Sequence, residues 1–170
     1  LRPLLADWAR EGKRLAIVCF IDLDRFADVN QRLGMAGGNA ALEEARRRLK
    51  AQLPREGLLA HVGGDEFAAV FAGIGNSQCH QVLERMLAAL AEPWEWRGHA
   101  VNLEASLGAR LLDASGPPPE LALRQASHAA FFAKRAGDGR VHYFDAPQAH
   151  ADEQMVRARQ RIQEGLERDE

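Results

Sequence analysis

Two acidic segments of this 170-residue chain combine residue types that could bind a metal ion and phosphate groups. One is the pentapeptide Gly63-Gly64-Asp65-Glu66-Phe67, and the other is Asp22-Leu23-Asp24 at the end of an apolar run. Paired glycines permit the positive φ angles of a tight turn and carry no Cβ atoms that would keep a bulky anion from the backbone. The carboxylates that follow are hard oxygen ligands of the kind that Mg²⁺ prefers. Together these residues predict a metal site that handles nucleotide phosphates.

Two short apolar segments flank the pentapeptide and predict a β-hairpin around it. Residues 57–62 have the composition of one strand and residues 67–72 that of its return, which puts Gly63 and Gly64 at the tip. A Gly-Gly-Asp sequence without further support is more often only a turn. The functional interpretation therefore depends on the acidic segment that precedes the hairpin.

A nearly continuous apolar run from Leu15 to Ile21 predicts a strand that is buried on both faces. The run ends at Asp22, and a carboxylate at the end of a buried strand can lie beside a hairpin tip on the neighbouring strand. Asp22 and Asp65 could therefore share one cation. In the alternative interpretation Asp24 caps the following helix and Asp22 is its exposed neighbour. We predict the capping role for Asp24 but not for Asp22.

The order of these residues resembles the GGDEF domain family, from about Leu15 to Phe144. The matching residues are Phe20 to Phe26, Asn30, Gly34, Gly38, Gly63 to Phe67, Ser106 to Gly108, Ala133, Lys134 and Gly137. Active members of this family are diguanylate cyclases, which condense two GTP molecules into cyclic di-GMP and release pyrophosphate. The resemblance implies an α/β fold with a mixed central β-sheet flanked by helices, related to the nucleotidyl cyclase and polymerase palm folds.

The resemblance also implies roles for individual residues. Asp22 and Asp65 match side-chain ligands of Mg²⁺ or Mn²⁺, with the Leu23 carbonyl as a backbone ligand. Asp65 and Glu66 match the catalytic pair, and Glu66 is metal-associated as well. The candidate substrate-binding residues are Asn30 and Asn39 for guanine, Gly63 and Gly64 at the hairpin, and Lys134 for phosphate. Because each subunit presents half of the reaction, catalysis is expected only in a homodimer with one GTP bound to each subunit.

Several residues depart from the family pattern where GTP would bind. Asn39 stands in place of an aspartate that accepts hydrogen bonds from guanine, and an amide offers only one acceptor oxygen. Asp138 stands in place of a phosphate-binding arginine, so its carboxylate would repel a triphosphate. The other departures are Ala27 for lysine, Gln31 for aspartate, Met35 for histidine, His61-Val62 for an arginine-led dipeptide, and Pro54 to Gly57 for the product-inhibition motif. These departures predict weakened guanine selectivity and phosphate binding, and no feedback through the usual inhibitory site.

The composition is that of one compact globular domain, which we assign to residues 1–146. A net charge of −2 argues against a nucleic-acid partner, and we interpret Arg46 to Arg48 as the solvated face of a helix. The sequence contains neither an apolar run of membrane-spanning length nor the pattern of a signal peptide. Cys19 and Cys79 are expected to be buried free thiols. We therefore expect a cytoplasmic location without direct membrane insertion, which includes the cytoplasmic part of a membrane-anchored receptor.

Periodicity and capping signals supply the other elements, which alternate as in an α/β sandwich with a mixed sheet. They are helices over 4–11, 24–33 and 37–52, a helix with the apolar stripe Val82, Met86 and Leu90, a strand over 101–111, a helix over 117–134 and an edge strand over 141–144. Gly34 is expected to end one helix and Gly137 another. Because its apolar residues alternate strictly, the strand over 101–111 is expected to bury one face.

The last segment, residues 147–170, is highly charged, with Met155, Ala158, Ile162 and Leu166 at helical spacing. A helix with so thin an apolar stripe would be marginal on its own. The run from Arg161 to Glu170 resembles the linker that enters an EAL phosphodiesterase domain in tandem GGDEF–EAL proteins, so an adjacent EAL domain is the expected partner. The alternative is an ordinary C-terminal helix docked on the domain.

Two classes of function are compatible with these residues. The first is a regulatory module with weak or no cyclase activity that controls an adjacent EAL or receptor domain, and the second is an active diguanylate cyclase. The losses at Asn39 and Asp138 favour the regulatory module, whereas Asp22, Asp65 and Glu66 favour the enzyme. We predict the first. A nucleotidyl cyclase with a different product is a third interpretation, because Asn39 loosens the choice of base.

Overall fold

A computed structural model describes residues 16–72, 76–112, 117–137 and 141–145 of the protein. The elements in this part of the chain are β1 (Ala16–Leu23), α1 (Phe26–Gln52), β2 (Leu58–Gly63), β3 (Glu66–Ala72), α2 (Asn76–Ala91), β4 (Trp94–Trp96), β5 (His99–Val101), β6 (Ala105–Leu112), α3 (Pro119–Ala136) and β7 (Val141–Tyr143). Asp138 and the helices predicted over 4–11 and within 147–170 lie outside the described residues. None of the helices in the described ranges has the length and apolar character needed to cross a membrane.

Five strands form one mixed sheet in the order β2-β3-β1-β6-β7. The central strand β1 is antiparallel to both of its neighbours, and β7 runs parallel to β6. Every residue of β1 from Ala16 to Ile21 is buried, as its continuous apolar run predicts. The strands β4 and β5 pair separately as a small hairpin. A mixed central sheet flanked by helices confirms the predicted fold class.

The two faces of the sheet are covered by different helices. The larger core lies between one face and the helices α1 and α2, and it includes the predicted stripe of α2, Val82, Met86 and Leu90. The other face packs against α3, whose buried side consists of alanines. Gly108 permits this close approach, because a Cβ atom there would overlap backbone atoms of α3. Both cysteines are buried free thiols, as predicted.

The predicted helix break at Gly34 is confirmed as a kink within one helical span, α1. Gly34 has φ 69° and ψ 177°, which lie outside the helical region. The start of α1 differs from the prediction, because the helix begins at Phe26 and its N-cap position is Arg25, with no side-chain capping bond. The Asp24 amide donates to the Glu104 carbonyl at 2.8 Å, and Asp24 lies in the turn between β1 and α1. The capping role predicted for Asp24 is wrong.

Arg48 corrects the interpretation of Arg46 to Arg48 as a solvated face. Arg46 and Arg47 are exposed, but Arg48 is only 7% exposed. Its guanidinium group donates to the backbone carbonyls of Ala89, Leu90 and Glu92, where α2 ends. A helix leaves its last carbonyl groups without partners inside the helix, and a cation there also complements the helix dipole. Arg48 therefore ties α1 to the end of α2.

The strand predicted over 101–111 is two strands. β5 ends at Val101, β6 begins at Ala105, and all residues of β6 from Ala105 to Ala109 are buried. The expected single buried face is wrong because α3 covers the second face. The hairpin of β4 and β5 was not predicted, although the alternation in Trp94-Glu95-Trp96 followed by Arg97-Gly98 is a hairpin signal.

Candidate functional site

The acidic residues of the two sequence motifs meet where β1 ends beside the β2–β3 hairpin. Asp22 lies directly opposite Glu66 in the antiparallel pairing of β1 with β3. The Leu23 amide donates to the Asp65 carbonyl at 3.1 Å, one residue beyond that pair. Directly opposed residues point to the same face of a sheet, so the strand register brings the Asp22 and Glu66 carboxylates together. We refer to Asp22, Asp65 and Glu66 as the carboxylate edge.

Lys134 reaches the carboxylate edge from α3. Its Nζ atom lies 2.6 Å from Asp22 Oδ1, and the Lys134 and Asp22 side chains are 42% and 23% exposed. Partial burial lowers the pKa of Lys134, but the hydrogen bond and charge of Asp22, with smaller contributions from Asp24 and Asp65, outweigh it and raise the pKa above its usual value. Lys134 is therefore a cation at the point where three aspartates converge.

Asp24 has a structural partner that the sequence did not reveal. The buried Ser106 hydroxyl lies 3.0 and 3.1 Å from the two carboxylate oxygens of Asp24 and donates to them. Burial raises the pKa of Asp24, opposed by this hydrogen bond and by Lys134. The contact joins the end of β1 to the start of β6. Ser106 belonged to the matched family pattern, but only the antiparallel register of β1 and β6 brings it to Asp24.

The two glycines lie at the hairpin tip, as predicted. Gly63 and Gly64 are exposed, with φ 153° and φ 56°, and a Cβ atom added at either position would have no atom from beyond the adjacent residues within 4 Å. The pairing of β2 with β3 shifts its register between His61 and Gly63. The tip therefore presents bare backbone beside the carboxylate edge, as a phosphate-binding loop requires.

The candidate guanine-binding residues lie on α1, on either side of its kink at Gly34. Asn30 and Asn39 are both exposed. A Cβ atom on Gly38 would overlap Asn30 Oδ1, so the glycine makes room for the amide of Asn30 beside the turn that carries Asn39. Met35, which also departs from the family pattern, is 82% exposed. The structure thus brings Asn30 next to the Asn39 turn, and we call these two residues the asparagine pair.

The oxygen atoms of the carboxylate edge have the chemistry of a Mg²⁺ or Mn²⁺ site. Among the described residues, however, no three His, Cys, Asp or Glu side chains are grouped closely enough to hold a metal ion by themselves. Mg²⁺ is commonly held by one or two carboxylates together with substrate phosphates. The residues present therefore fit a cation bound jointly with a nucleotide, with Asp22, Asp65, Glu66 and the Leu23 carbonyl as its protein ligands.

A cleft of about 690 Å³ lies next to the carboxylate edge. Its lining includes Asp24, Glu104, Ser106 and Lys134, together with residues of α2, Glu84, Leu87, Ala88 and Ala91. Its volume is within the range of small-molecule sites. The cleft therefore gives Lys134 room to contact an anion.

A comparison with known proteins identifies the family of this chain. The family model described as "Diguanylate cyclase, GGDEF domain" matches residues 1–140. This chain belongs to the GGDEF domain family.

Three individual proteins illustrate the relationship. The chain is 34% identical over 154 residues to the probable diguanylate cyclase DgcE of Escherichia coli K12, covering 89% of this chain and 14% of DgcE. It is 28% identical over 156 residues to the bifunctional diguanylate cyclase/cyclic di-GMP phosphodiesterase MucR of Pseudomonas aeruginosa, covering 91% of this chain and 23% of MucR. The crystal structure of the GGDEF domain of YfiN, or TpbB, from P. aeruginosa superposes with a TM-score of 0.77 at 30% identity, covering 84% of this chain and 89% of that one. The chain thus spans a small part of the two full-length relatives.

Proposed function

We propose that this chain is a GGDEF domain of cyclic di-GMP signalling that keeps its metal-binding half and has lost part of its nucleotide-binding half. In this proposal the domain binds Mg²⁺ and GTP weakly and converts little GTP to product. It acts mainly as a regulatory module for a neighbouring domain. The observation that carries the proposal is the contrast between the ordered carboxylate edge and the substitution at Asn39.

The metal-binding half is supported by backbone geometry. Asp22 and Glu66 are held opposite each other by strand pairing, and Asp65 is tied to Leu23 by a hydrogen bond. In the proposed site Asp22, Asp65, Glu66 and the Leu23 carbonyl hold Mg²⁺ or Mn²⁺, which when bound would neutralise phosphate charge and favour loss of the proton from an attacking hydroxyl. Lys134 would exchange its contact with Asp22 for a contact with phosphate.

We propose that GTP binds weakly because the domain recognises both the guanine base and the triphosphate poorly. Asn39 presents one acceptor oxygen and an NH₂ donor where two acceptors would suit the donor edge of guanine. The guanine contacts would then rest on Asn30 and on the remaining acceptor of Asn39. Asp138 would add negative charge where a cation would help to bind the triphosphate. Both effects reduce the affinity for GTP without disturbing the metal ligands.

The regulated neighbour is proposed to be an EAL phosphodiesterase domain that follows residues 147–170. The support is the resemblance of that segment to a GGDEF–EAL linker and the bifunctional name of the relative MucR. As a catalyst the domain would need to form a homodimer, because each subunit contributes one GTP. As a regulator it could act through the chain that joins it to its neighbour.

The experiment that tests the proposal is calorimetric titration of the purified domain with Mg²⁺ and a non-hydrolysable GTP analogue, with product measured in parallel from GTP. We expect weak binding, slow product formation or none, and loss of binding in Asp65→Ala. Readily measured cyclic di-GMP formation that Asp65→Ala abolishes would overturn the regulatory assignment. Replacing GTP with ATP in both assays tests the choice of base.

The second candidate function is an active diguanylate cyclase. The position of Lys134, 2.6 Å from Asp22 and beside an open cleft, favours it, because a phosphate-binding cation stands next to the proposed metal ligands. Turnover by this candidate would increase with protein concentration, since two subunits must meet. Product formation that is second order in protein would therefore select the enzyme.

A further inference from the structure

His61 makes two contacts that the proposed chemistry has not used. Its Nε2 atom lies 2.9 Å from the Gly64 carbonyl oxygen. Its ring is stacked on the ring of Phe67, with centroids 4.8 Å apart and planes inclined by 24°. Since a carbonyl oxygen can only accept, Nε2 must carry the proton and donate it, in the neutral ring or the charged one. His61 therefore links the hairpin tip to a side chain of the main core.

Phe67, on which the His61 ring stacks, is held in place by the main core. It is 1% exposed and lies in the main hydrophobic core, directly opposite His61 in the pairing of β2 with β3. The His61 ring has only two rotatable bonds, and stacking restricts both of them. The position of Nε2 is therefore set by the core rather than by the exposed loop.

Gly63 and Gly64 are the residues that most need such a link. Glycine has more backbone freedom than any other residue, so a loop of paired glycines samples many conformations unless other contacts restrict it. No Cβ atom packs at either position, and the two residues are exposed. Hydrogen bonds to the loop backbone must therefore restrict it.

The peptide groups on both sides of Asp65 are held by hydrogen bonds. His61 fixes the Gly64 carbonyl, and the Leu23 amide fixes the Asp65 carbonyl at 3.1 Å. Because each peptide group is planar, fixing the two carbonyls fixes the rotations about the bonds of the Asp65 Cα atom. The direction of the Asp65 side chain follows from those rotations.

We propose that His61 is a positioning residue that sets the Gly64–Asp65 peptide and thereby aims the Asp65 carboxylate and the exposed loop amides at a metal-bound nucleotide. The metal-bound nucleotide in this inference rests on the proposed function. The orientation of Asp65 by His61 is a property of the free domain and does not depend on that function. His61 stands where the family pattern has an arginine-led dipeptide, and its ring is stacked on Phe67. His61 does not contact the nucleotide in this proposal.

The test uses two substitutions that separate the two contacts. His61→Phe keeps a ring that can stack on Phe67 but cannot donate, whereas His61→Gln keeps a donor and loses the ring. The control is His99→Phe, the same change at an exposed residue of β5. Affinity for Mn²⁺ with a non-hydrolysable GTP analogue is measured by calorimetry. Hydrogen exchange of the Leu23 amide, which donates to the Asp65 carbonyl, is measured by NMR in the free domain.

We expect His61→Phe to weaken binding about fivefold, the size of one net hydrogen bond, and to speed exchange of the Leu23 amide, while the melting temperature falls by no more than a few degrees. His61→Gln should recover at least half of the lost affinity, and His99→Phe should change neither quantity. Wild-type affinity and unchanged exchange in His61→Phe would overturn the proposal. If the wild-type domain binds no analogue, the proposed function fails, and the exchange of the Leu23 amide alone decides the role of His61.

Discussion

The carboxylate edge and the asparagine pair are two halves of one candidate site, and they are built in different ways. The carboxylate edge is positioned by the antiparallel pairing of β1 with β3, in which Asp22 faces Glu66. The asparagine pair lies on the exposed side of a kinked helix, where Gly38 makes room for Asn30. A half that depends on strand register persists as long as the sheet folds. A half that depends on exposed side chains can change its chemistry with one substitution.

The carboxylate edge and the asparagine pair also differ in charge. Lys134 neutralises part of the carboxylate edge through its 2.6 Å contact with Asp22. This contact reduces the electrostatic repulsion among the carboxylates in the nucleotide-free domain, because the lysine charge attracts them. The asparagine pair is neutral and needs no counter-charge. We therefore expect a change between aspartate and asparagine at position 39 to cost the fold little.

The largest expected effect comes from breaking the carboxylate edge. Asp22→Asn should lower the affinity for Mn²⁺ with a GTP analogue by about 100-fold or more, roughly 2.7 kcal/mol, because an anionic ligand becomes a neutral one. The fold should persist, since Lys134 is 42% exposed and can be solvated when its partner loses charge. Electron paramagnetic resonance of Mn²⁺ measures the affinity directly.

Asp28→Asn provides the control for Asp22→Asn. Asp28 lies in the first turn of α1 and is exposed, so its substitution removes the same charge outside the carboxylate edge. We expect it to leave the Mn²⁺ affinity within about twofold, consistent with a screened surface charge. Equal losses in the two variants would mean that net charge, rather than metal ligation, sets the affinity.

A smaller effect is expected from restoring the asparagine pair to the family pattern. Asn39→Asp adds a second acceptor and a negative charge for the donor edge of guanine, and charge-assisted hydrogen bonds are about twice as strong as neutral ones. We expect the affinity for the GTP analogue to rise about tenfold, or 1.4 kcal/mol, with no gain for the ATP analogue. Titration of both analogues in the presence of Mg²⁺ measures the difference.

Asn102→Asp controls for the added charge, because Asn102 is an exposed residue outside the helices and strands. It should leave the ratio of GTP to ATP affinity unchanged. An increase of the same size for both nucleotides in Asn39→Asp would show that residue 39 does not select the base. Selection of the base would then have to come from residues other than residue 39.

The sequence predicted the carboxylate edge because its signals are local. A buried strand that ends in Asp22 and a hairpin that begins with two glycines need only adjacent pairing to bring their carboxylates together. The prediction for Asp24 was wrong because its contacts are with residues that are distant in sequence. An acidic residue before a helix is often a cap, but the groups that contact Asp24, the Glu104 carbonyl and the Ser106 hydroxyl, lie far along the chain.

Arg48 illustrates what could not be predicted from local sequence. Its neighbours Arg46 and Arg47 are exposed, and nothing in the spacing of the three arginines distinguishes the one that is buried. Its burial depends on where α2 ends, since the carbonyls it binds belong to residues 89–92. Packing between helices that are distant in sequence determines which arginine is buried, and the residue pattern of one helix does not contain that information.

The smallest expected effect concerns the support of the helix that carries Asn39. Glu44 accepts hydrogen bonds from Arg47 and from Arg48, and its side chain is 13% exposed. The Arg47 hydrogen bond above all, with Arg48, outweighs burial and lowers the pKa of Glu44 from 4.5 to about 2. A carboxyl whose pKa is lower in the folded state stabilises the fold above pH 4.5, and this contribution is lost as the pH falls toward 2.

Glu44→Gln should therefore lower the free energy of unfolding by about 1 kcal/mol at pH 7, and the difference from wild type should shrink between pH 4.5 and 2. Urea unfolding across that pH range provides the measurement. Glu43→Gln is the matched control, because Glu43 pairs with Arg46 at the surface and is 70% exposed, so its loss should cost less than about 0.5 kcal/mol. If Glu43 and Glu44 cost the same, the buried contacts of Arg48 do not depend on Glu44. If only Glu44→Gln is destabilising, the contact of Glu44 with Arg48 helps to hold α1 against α2. The proposed weak binding of the base would then arise from the side chains of the asparagine pair rather than from a loosely packed helix.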